Sequence, residues 1–335
     1  MLNIAVLGCG RIGKMHAENI AAHPRARLTG VFDVHAPAAA DIAGRLGVTN
    51  HTSADEVFSA ADVDAVLIAT STATHVDFIE QGVAAGKAIL CEKPIDLSLE
   101  RVNACAKTIA GATRPIMIGF CRRFDPGHRA ARKAMLDGEI GDLHQLVITS
   151  RDPGMAPDAY IEVSGGIFRD MTIHDLDLAR YMLGEEVEAV SAHGSRLVDP
   201  ALMERCGDYD TIVITLVTAS GRQAIINNSR QAAYGYDQRV ELFGNKGMVI
   251  SDNHRENHMR RFSAAATDIS APLQHFFIER YREAFIAEID NFIDAAEGTA
   301  PLDVTFEDGH RALVLAEAAG RSVAEGRTVK VSEVA

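Results

Sequence analysis

The chain has 335 residues, of which 47% are hydrophobic and 24% are charged, and its formal net charge at pH 7 is -13. This composition is typical of a globular protein of about two domains and is too apolar for a disordered chain. The acidic excess argues against binding to nucleic acid or to an anionic membrane by general electrostatics.

The first 120 residues alternate short apolar runs with longer amphipathic segments. The apolar runs predict buried strands over residues 2–7, 27–33, 65–70, 88–91 and 116–120. Helical periodicity predicts helices between the first strands, over residues 12–22 and 38–46. This alternation predicts an α/β domain with a doubly wound parallel sheet over residues 1–120.

A glycine motif, Gly8-Cys9-Gly10-Arg11-Ile12-Gly13, lies directly after the first predicted strand and opens the first helix. The first glycine permits a tight turn, the second lets backbone approach a pyrophosphate, and the third lets the helix pack on the strand. The motif alone is weak, because a glycine turn needs no ligand. Its context favours a cofactor site, with Gly8, Gly10, Arg11, Ile12 and Gly13 as candidate cofactor-binding residues.

An acidic residue, Asp33, ends the second predicted strand, at the distance from Gly13 that is expected of a ribose ligand. A carboxylate there accepts hydrogen bonds from the ribose hydroxyls of NAD but repels the 2'-phosphate of NADP. Because no arginine follows among Val34, His35 and Ala36, we predict NAD as the cofactor.

Two further segments follow predicted strands, where an open parallel sheet presents its ligands. Residues 69–75 follow one strand, and Cys91-Glu92-Lys93-Pro94 follows the next. Pro94 restricts the backbone of Lys93 to an extended conformation and so holds the lysine at a strand tip. A lysine is more often a solvated surface charge, but this position beside an inferred nicotinamide pocket makes Lys93 a candidate functional residue.

The pattern changes after residue 120. Helices are predicted over residues 126–136 and 170–183, and long ones over 274–296 and 307–324. Strands are predicted over residues 143–149, 187–193, 211–217, 223–228, 239–243 and 248–251. Because short Gly-containing turns join the later strands, we expect successive strands to be antiparallel neighbours. Residues 121–335 are therefore predicted to form a second, α+β domain with a large, mostly antiparallel sheet.

An acid-His-acid pattern follows Gly165-Gly166 in this second half. On a helix, Asp170, His174 and Asp177 would project from one face. A carboxylate one turn away orients an imidazole and stabilises its charged form, as a base that takes a hydroxyl proton requires. The alternative is a helix whose polar residues only cap and solvate it.

The other histidines give weaker patterns. His254 and His258 have helical spacing, but no acidic third ligand accompanies them in a very polar segment. The five cysteines are scattered and form no Cys-x-x-Cys pair, which indicates reduced thiols rather than a zinc site. No basic leader and no apolar run of membrane-spanning length is present. We therefore predict no metal site and a cytoplasmic protein that binds neither membrane nor nucleic acid.

Four motifs together resemble the glucose-fructose oxidoreductase, inositol dehydrogenase and MocA (Gfo/Idh/MocA) family. They are the glycine motif, the Glu92-Lys93-Pro94 tripeptide, residues 119–125, and the Gly-Gly turn followed by Asp170, His174 and Asp177. Within the family, residues 150–153, 164–175 and 234–238 are most similar to members that act on myo-inositol. The resemblance implies a Rossmann domain, a second domain with an open sheet, and a homotetramer.

The resemblance also implies residue roles. Lys93, Asp170 and His174 would be catalytic. His174 would accept the proton of the alcohol, Asp170 would orient His174, and Lys93 would polarise the oxygen of the reacting hydroxyl. Asp152, Asp177 and Tyr236 would join these three in binding the substrate. Besides the glycine motif and Asp33, the residues along the cofactor would be Thr70, His75, Glu92, Lys93 and Arg122.

The expected activity is NAD-dependent oxidation of a ring hydroxyl of myo-inositol to a ketone. One alternative is a dehydrogenase of the same family for another substrate, such as scyllo-inositol or a pyranose. Another is a regulator that senses NAD or a sugar without turnover.

Overall fold

The computed structural model describes residues 1–334. In it the chain folds into two compact units. The N-terminal unit comprises Met1–Cys121 and Ala284–Arg311, and the C-terminal unit comprises Arg122–Glu283 and the chain from Ala312 onward. Residues 284–311 thus fold with the N-terminal unit, although they lie far along the chain. The assignment of cofactor binding to residues 1–120 and of substrate binding to residues 121–335 stays a prediction.

A six-stranded parallel sheet forms the centre of the N-terminal unit. Its strands, in the order β3-β2-β1-β4-β5-β6, are β1 (Leu2–Leu7), β2 (Ala26–Phe32), β3 (Thr49–Asn50), β4 (Ala65–Ile68), β5 (Ala88–Glu92) and β6 (Ile116–Gly119). Strand β4 is buried at every position, which explains why it is an unbroken apolar run rather than an alternating pattern. The predicted doubly wound sheet is confirmed.

Helices join these strands in the alternating order that the sequence predicts. They are α1 (Arg11–Ala22), α2 (Ala36–Leu46), α3 (Ala54–Ser59), α4 (His75–Ala84) and α5 (Leu99–Thr108). Short 3-10 turns lie at Thr72–Thr74, Ile109–Gly111 and, after β6, Cys121–Phe124.

A later helix, Arg282–Glu297, contributes most of its length to the N-terminal unit. Its acidic side chains meet basic residues at the end of α1: His23 Nε2 lies 2.8 Å from Asp290 Oδ1, and Arg25 donates to Asp294 at 2.5 Å. The sequence predicts one helix over residues 274–296. The structure instead has a short helix, Phe277–Arg280, that ends at Tyr281 before the longer one begins.

A seven-stranded sheet forms the core of the C-terminal unit. Its strands are β7 (Leu143–Arg151), β8 (Val187–Ser195), β9 (Thr211–Thr218), β10 (Gln223–Ser229), β11 (Asp237–Gly244), β12 (Gly247–Ser251) and β15 (Val329–Lys330). They lie in the order β12-β11-β7-β10-β9-β8-β15. A separate two-stranded sheet pairs β13 (Arg260–Arg261) with β14 (Ile269–Ser270).

One pairing differs from the predicted succession of antiparallel neighbours. Strand β7 lies between β10 and β11; it is parallel to β10 and antiparallel to β11. The other pairs in the sheet are antiparallel. The prediction of a large, mostly antiparallel sheet is confirmed, but the expectation that β10 and β11 are neighbours is wrong. Pairing with a strand from a much earlier part of the chain leaves no local trace in the sequence.

The seven-stranded sheet has one buried and one open face. In β9, Ile212, Ile214 and Leu216 are buried, whereas Val213 and Val217, at alternating positions, are exposed. Helices of this unit are Pro126–Leu136, Asp158–Ile161, Ile173–Leu183, Pro200–Cys206 and Phe277–Arg280, while Phe306–Glu325 crosses the division between units. Leu176, Ala179 and Leu183 join the core against the buried face. Among the described residues, no helix is long and apolar enough to span a membrane.

Candidate active site

Two positions in the glycine turn after β1 can be occupied only by glycine. Gly8 has φ of 95°, and a Cβ atom there would stand 2.3 Å from the carbonyl oxygen of Ala69, just beyond β4. A Cβ atom at Gly13 would stand 1.8 Å from the carbonyl oxygen of Gly8. The turn therefore lies where strand order reverses between β1 and β4, the place where open α/β sheets bind ligands.

Gly10 differs from its two neighbours, because a Cβ atom there would meet nothing within 4 Å. It is the N-cap of α1, no side chain caps the helix, and the first turn has no acidic residue. The exposed N–H groups of a helix N-terminus attract phosphate oxygens. The open space over Gly10 and the uncapped helix fit the pyrophosphate of a dinucleotide.

Asp33 lies directly after β2 and is held by backbone N–H groups on both sides. Its Oδ2 accepts from Cys9 N at 2.6 Å, and its Oδ1 accepts from His35 N at 2.7 Å. A carboxylate has about four lone-pair sites, so it can still accept from ribose hydroxyls. The role of Cys9 in orienting Asp33 is not predictable from the motif, which fixes only the glycines.

His75 is buried and connects two strand ends. Its Nδ1 lies 2.8 Å from the carbonyl oxygen of Pro94, and its Nε2 lies 3.2 Å from that of Thr70. Burial lowers the pKa of His75. A neutral imidazole donates one hydrogen bond, and the shorter contact identifies Pro94 as its acceptor. His75 therefore supports the loops that carry Thr70 and Lys93.

Glu92, the last residue of β5, also contacts another element of the N-terminal unit. Its Oε1 lies 2.8 Å from Nε2 of His16, which is buried on α1. Lys93 follows with a partly buried side chain, and the Lys93–Pro94 peptide bond is cis. Among the predicted cofactor residues, the structure thus groups the glycine turn with Asp33, and Thr70 with His75.

Asp170 belongs to the C-terminal unit and lies in a π-helical turn, Phe168–Thr172, that leads into the helix Ile173–Leu183. Its Oδ1 accepts from the hydroxyl of Tyr160 at 2.7 Å, and its Oδ2 accepts from Arg230 at 3.1 Å. Arg230 is almost fully buried and also donates to Asp208 at 3.3 Å. Asp208 in turn accepts from Ile167 N, at the start of the turn.

Asp152 shares this environment with Asp170. Burial and the nearby charge of Asp170 raise the pKa of Asp152 to about 6, although Arg230 opposes the shift. The structure therefore brings together two carboxylates that lie in separate segments of the sequence. A carboxylate whose pKa is raised in this way by burial and a neighbouring charge is characteristic of functional sites.

The helical spacing predicts that Asp177 shares an open face with His174, and the structure shows that it does not. Its carboxylate is buried and accepts two hydrogen bonds from Arg123, at 2.8 and 2.5 Å. His174, by contrast, is partly exposed. The predicted face is therefore wrong at Asp177, because Arg123, from a distant part of the chain, binds its carboxylate inside the protein.

Arg122 and Tyr236 are also buried in the C-terminal unit. Arg122 donates to Asp175 at 2.5 Å and to Ser150 at 3.2 Å, and burial raises the pKa of Asp175 despite this pair. The Tyr236 ring packs against Tyr281 with ring centroids 6.2 Å apart. Arg122 therefore has a role inside this unit, and its predicted contact with the cofactor stays a prediction.

The parallel sheet, the glycine turn and Asp33 define a dinucleotide-binding protein whose second unit carries a cluster of arginine-held carboxylates. Comparison with protein families gives its membership: the chain belongs to the GFO/IDH/MocA oxidoreductase family. Residues 2–120 match the oxidoreductase family with an NAD-binding Rossmann fold, and residues 128–250 match the GFO/IDH/MocA C-terminal domain. The predicted family, fold class and NAD cofactor are confirmed.

Individual relatives cover the chain from end to end. An inositol 2-dehydrogenase of Rhizobium meliloti is 49% identical over 331 residues, covering 99% of each chain. The crystal structure of a myo-inositol dehydrogenase from Corynebacterium glutamicum is 44% identical, covers 98% of each chain and has a TM-score of 0.95. A scyllo-inositol dehydrogenase from Lactobacillus casei, solved with NAD(H) and scyllo-inositol, is 30% identical, covers 99% of each chain and has a TM-score of 0.92.

Proposed function

We propose that the protein is an NAD-dependent inositol 2-dehydrogenase, which oxidises a ring hydroxyl of myo-inositol to the ketone, 2-keto-myo-inositol. The observation that carries the proposal is the combination of an uncapped glycine turn suited to a dinucleotide with the Asp152–Asp170 carboxylate pair. The relative at 49% identity, an inositol 2-dehydrogenase, supports the same substrate. Carboxylates suit a polyol, because they accept hydrogen bonds from several hydroxyls at once.

In the proposed reaction the hydrogen on the alcohol carbon leaves as a hydride, and the hydrogen on the hydroxyl oxygen leaves as a proton. NAD supplies the hydride acceptor when it is bound. His174 takes the hydroxyl proton, and Asp170 orients His174 and stabilises the charged imidazole. Lys93 donates a hydrogen bond to the same oxygen and stabilises the negative charge that develops on it.

Arg230 and Tyr160 fix Asp170 for this role by occupying one lone pair on each of its oxygens. For the ring hydroxyls we propose Asp152 and Tyr236. The family resemblance implies Asp177 as a further substrate ligand, but its pairing with Arg123 supports a role in holding the helix.

The identity of the substrate is tested with purified protein, NAD or NADP, and a panel of cyclitols and sugars, by following absorbance of the reduced cofactor. We expect the highest kcat/KM with myo-inositol and NAD. A higher value with scyllo-inositol, glucose or another pyranose would replace the substrate and keep the enzyme class. NAD binding without turnover of any polyol would instead support the sensing regulator.

The choice of NAD over NADP depends on Asp33. Replacement by Ser removes the charge that repels a 2'-phosphate, so we expect the ratio of kcat/KM for NAD to that for NADP to fall at least tenfold, or about 1.4 kcal/mol. Steady-state kinetics with both cofactors measures the ratio. Asp62→Ser, at an exposed position away from the turn, is the control. An unchanged ratio in Asp33→Ser would exclude Asp33 as the selecting residue.

We also propose a homotetramer assembled through the open face of the seven-stranded sheet. This face exposes apolar side chains on three strands: Val213, Val217, Phe243, Met248 and Ile250. Phe243 and Met248 are paired across β11 and β12, so they form part of one continuous surface. Apolar patches of this kind are typical of interfaces between subunits.

Val213→Asp places a charge on that face and is expected to shift the tetramer toward smaller species, as measured by analytical ultracentrifugation. Leu136→Asp changes an exposed apolar residue on the helix Pro126–Leu136 and should leave the assembly intact. A monomeric wild-type protein, or a Val213→Asp variant that stays tetrameric, would contradict the proposed interface. Cys9, Cys91, Cys105 and Cys206 are free thiols, which supports the further proposal of a cytoplasmic location.

A further inference from the structure

A second cluster of titratable side chains lies in the N-terminal unit, at the strand end that carries Lys93. One ring nitrogen of His16 and one carboxylate oxygen from each of Glu92 and Glu288 lie within 4.8 Å of one another. The three residues come from three elements: α1, β5 and the helix Arg282–Glu297. The cluster therefore joins the helix that opens at the glycine turn to the strand that leads into Lys93.

Glu288 is the unusual member of this cluster. It is fully buried, and neither of its carboxylate oxygens has a hydrogen-bond partner within residues 1–334. A buried carboxylate without a partner is strongly unfavourable in its ionised form, so the group takes up a proton instead. Burial and the charge of Glu92 accordingly raise the pKa of Glu288 well above its ordinary value.

His16 does not supply a compensating positive charge. Its Nε2 faces Glu92 at 2.8 Å, whereas its Nδ1 is buried with no hydrogen-bond partner in the described part of the chain. A proton on Nδ1 would bury an unsatisfied donor, so the imidazole is neutral and donates from Nε2 to Glu92. One carboxylate oxygen of Glu288 lies within 4.8 Å of one of Glu92, and two carboxylates so close are best accommodated with a single proton between them, which Glu288 carries.

The same observation argues against a divalent cation held by the three residues. A histidine that ligates a metal nearly always donates its other ring N–H to an acceptor, and His16 has none among residues 1–334. An apolar ring lies beside the imidazole instead: Phe285 meets His16 edge-on at 5.6 Å between centroids. A Cβ atom at Gly119 would stand 3.0 Å from Glu92 Oε2, so this glycine leaves room for the carboxylate.

We infer that Glu288 is a positioning residue for the proposed dehydrogenation: it holds the single proton of the glutamate pair and, with His16, fixes the ionised Glu92 that precedes Lys93. This role rests on the proposed function, because its kinetic effect is expressed through Lys93. Glu288 does not touch substrate in this role. Because Glu288 carries the proton, Glu92 keeps its negative charge, and Glu288 and His16 together hold the Glu92 carboxylate in one orientation.

The protonation of Glu288 is tested by infrared difference spectroscopy of the full-length protein without substrate near pH 7. We expect a carbonyl band of a protonated carboxylic acid in wild type that is lost in Glu288→Gln. Glu283→Gln, at an exposed position on the same helix, should keep the band. If wild type and Glu288→Gln show no difference in this band, Glu288 is ionised and the inference fails.

Kinetics tests the positioning role. Glu288→Gln keeps a neutral group that can donate a hydrogen bond, so its kcat should stay within about twofold of wild type, whereas Glu288→Leu should lose at least about tenfold in kcat. At high pH wild type should lose activity as Glu288 ionises, and Glu288→Gln should lack this decline. Equal losses in the Gln and Leu variants would overturn the inference.

The cation alternative has its own measurement. Equilibrium dialysis of wild type against Zn²⁺ or Mn²⁺ is expected to show no site that Glu288→Gln removes, and a site lost in that variant would overturn the inference in favour of a metal centre. If wild type oxidises no polyol, the proposed function fails, while the infrared experiment still decides whether Glu288 is protonated.

Discussion

Replacement of His174 or Lys93 by Ala is expected to lower kcat by about a thousandfold while the Kd for NAD changes less than about threefold. His174 provides the base that takes the hydroxyl proton, and Lys93 stabilises the oxygen from which that proton leaves. Neither residue belongs to the glycine turn that is proposed to hold the pyrophosphate, and Lys93 is expected to lie only beside the nicotinamide, so most of the affinity for NAD should persist. Stopped-flow measurement of hydride transfer and a binding titration with NAD separate the two effects.

Matched surface variants serve as controls for this experiment. His258→Ala and Lys107→Ala remove the same kinds of side chain at exposed positions and should retain wild-type rates. A His174→Ala or Lys93→Ala enzyme with a near-normal rate of hydride transfer would remove that residue from the mechanism. A variant that loses NAD binding together with turnover would point to a defect in folding or in the cofactor site.

Gly13→Ala is expected to abolish measurable NAD binding and to destabilise the protein by about 1–3 kcal/mol. The added methyl would stand 1.8 Å from the carbonyl oxygen of Gly8, so the backbone of the turn or the start of α1 must move. Because the N–H groups of this helix and the turn form the proposed pyrophosphate site, a shift there affects the cofactor directly. Isothermal titration with NAD and thermal unfolding measure the two effects.

Gly44→Ala is the control for this substitution. Gly44 lies within α2, and a Cβ atom there would meet nothing within 4 Å. Since alanine is the better helix former by about 1 kcal/mol, Gly44→Ala should be neutral or stabilising and should bind NAD normally. If Gly13→Ala bound NAD as tightly as Gly44→Ala, the glycine turn would not be the pyrophosphate site.

The elements of the N-terminal sheet were predictable because each feature is local. Leu2–Leu7 and Ala65–Ile68 are unbroken apolar runs, as strands buried on both faces require, and the structure has them close to the predicted bounds. The glycine motif was predictable because steric limits at Gly8 and Gly13 leave no other residue possible. The parallel arrangement followed from the alternation with helices.

The contacts that organise the site were not predictable, because they join distant parts of the chain. Arg230 reaches Asp170 across 60 residues, and Arg123 reaches Asp177 across 54 residues. Periodicity reports which face a residue occupies but not which arginine will neutralise it. Glu288 likewise has the pattern of an ordinary acidic residue on an amphipathic helix, and only its burial beside Glu92 makes it chemically unusual.

The discontinuity of both compact units has a consequence for how the chain folds during synthesis. The N-terminal sheet is complete at Gly119, yet its unit is completed only when residues 284–311 emerge from the ribosome. Strand β7 cannot form its parallel pair until β10 has been synthesised, and β8 cannot pair at the sheet edge until Val329–Lys330 has been synthesised. Contacts so distant in sequence slow folding and leave apolar surface exposed meanwhile. A ribosome-bound chain halted after residue 121 should therefore be protease-sensitive, although it already encodes every strand of the parallel sheet.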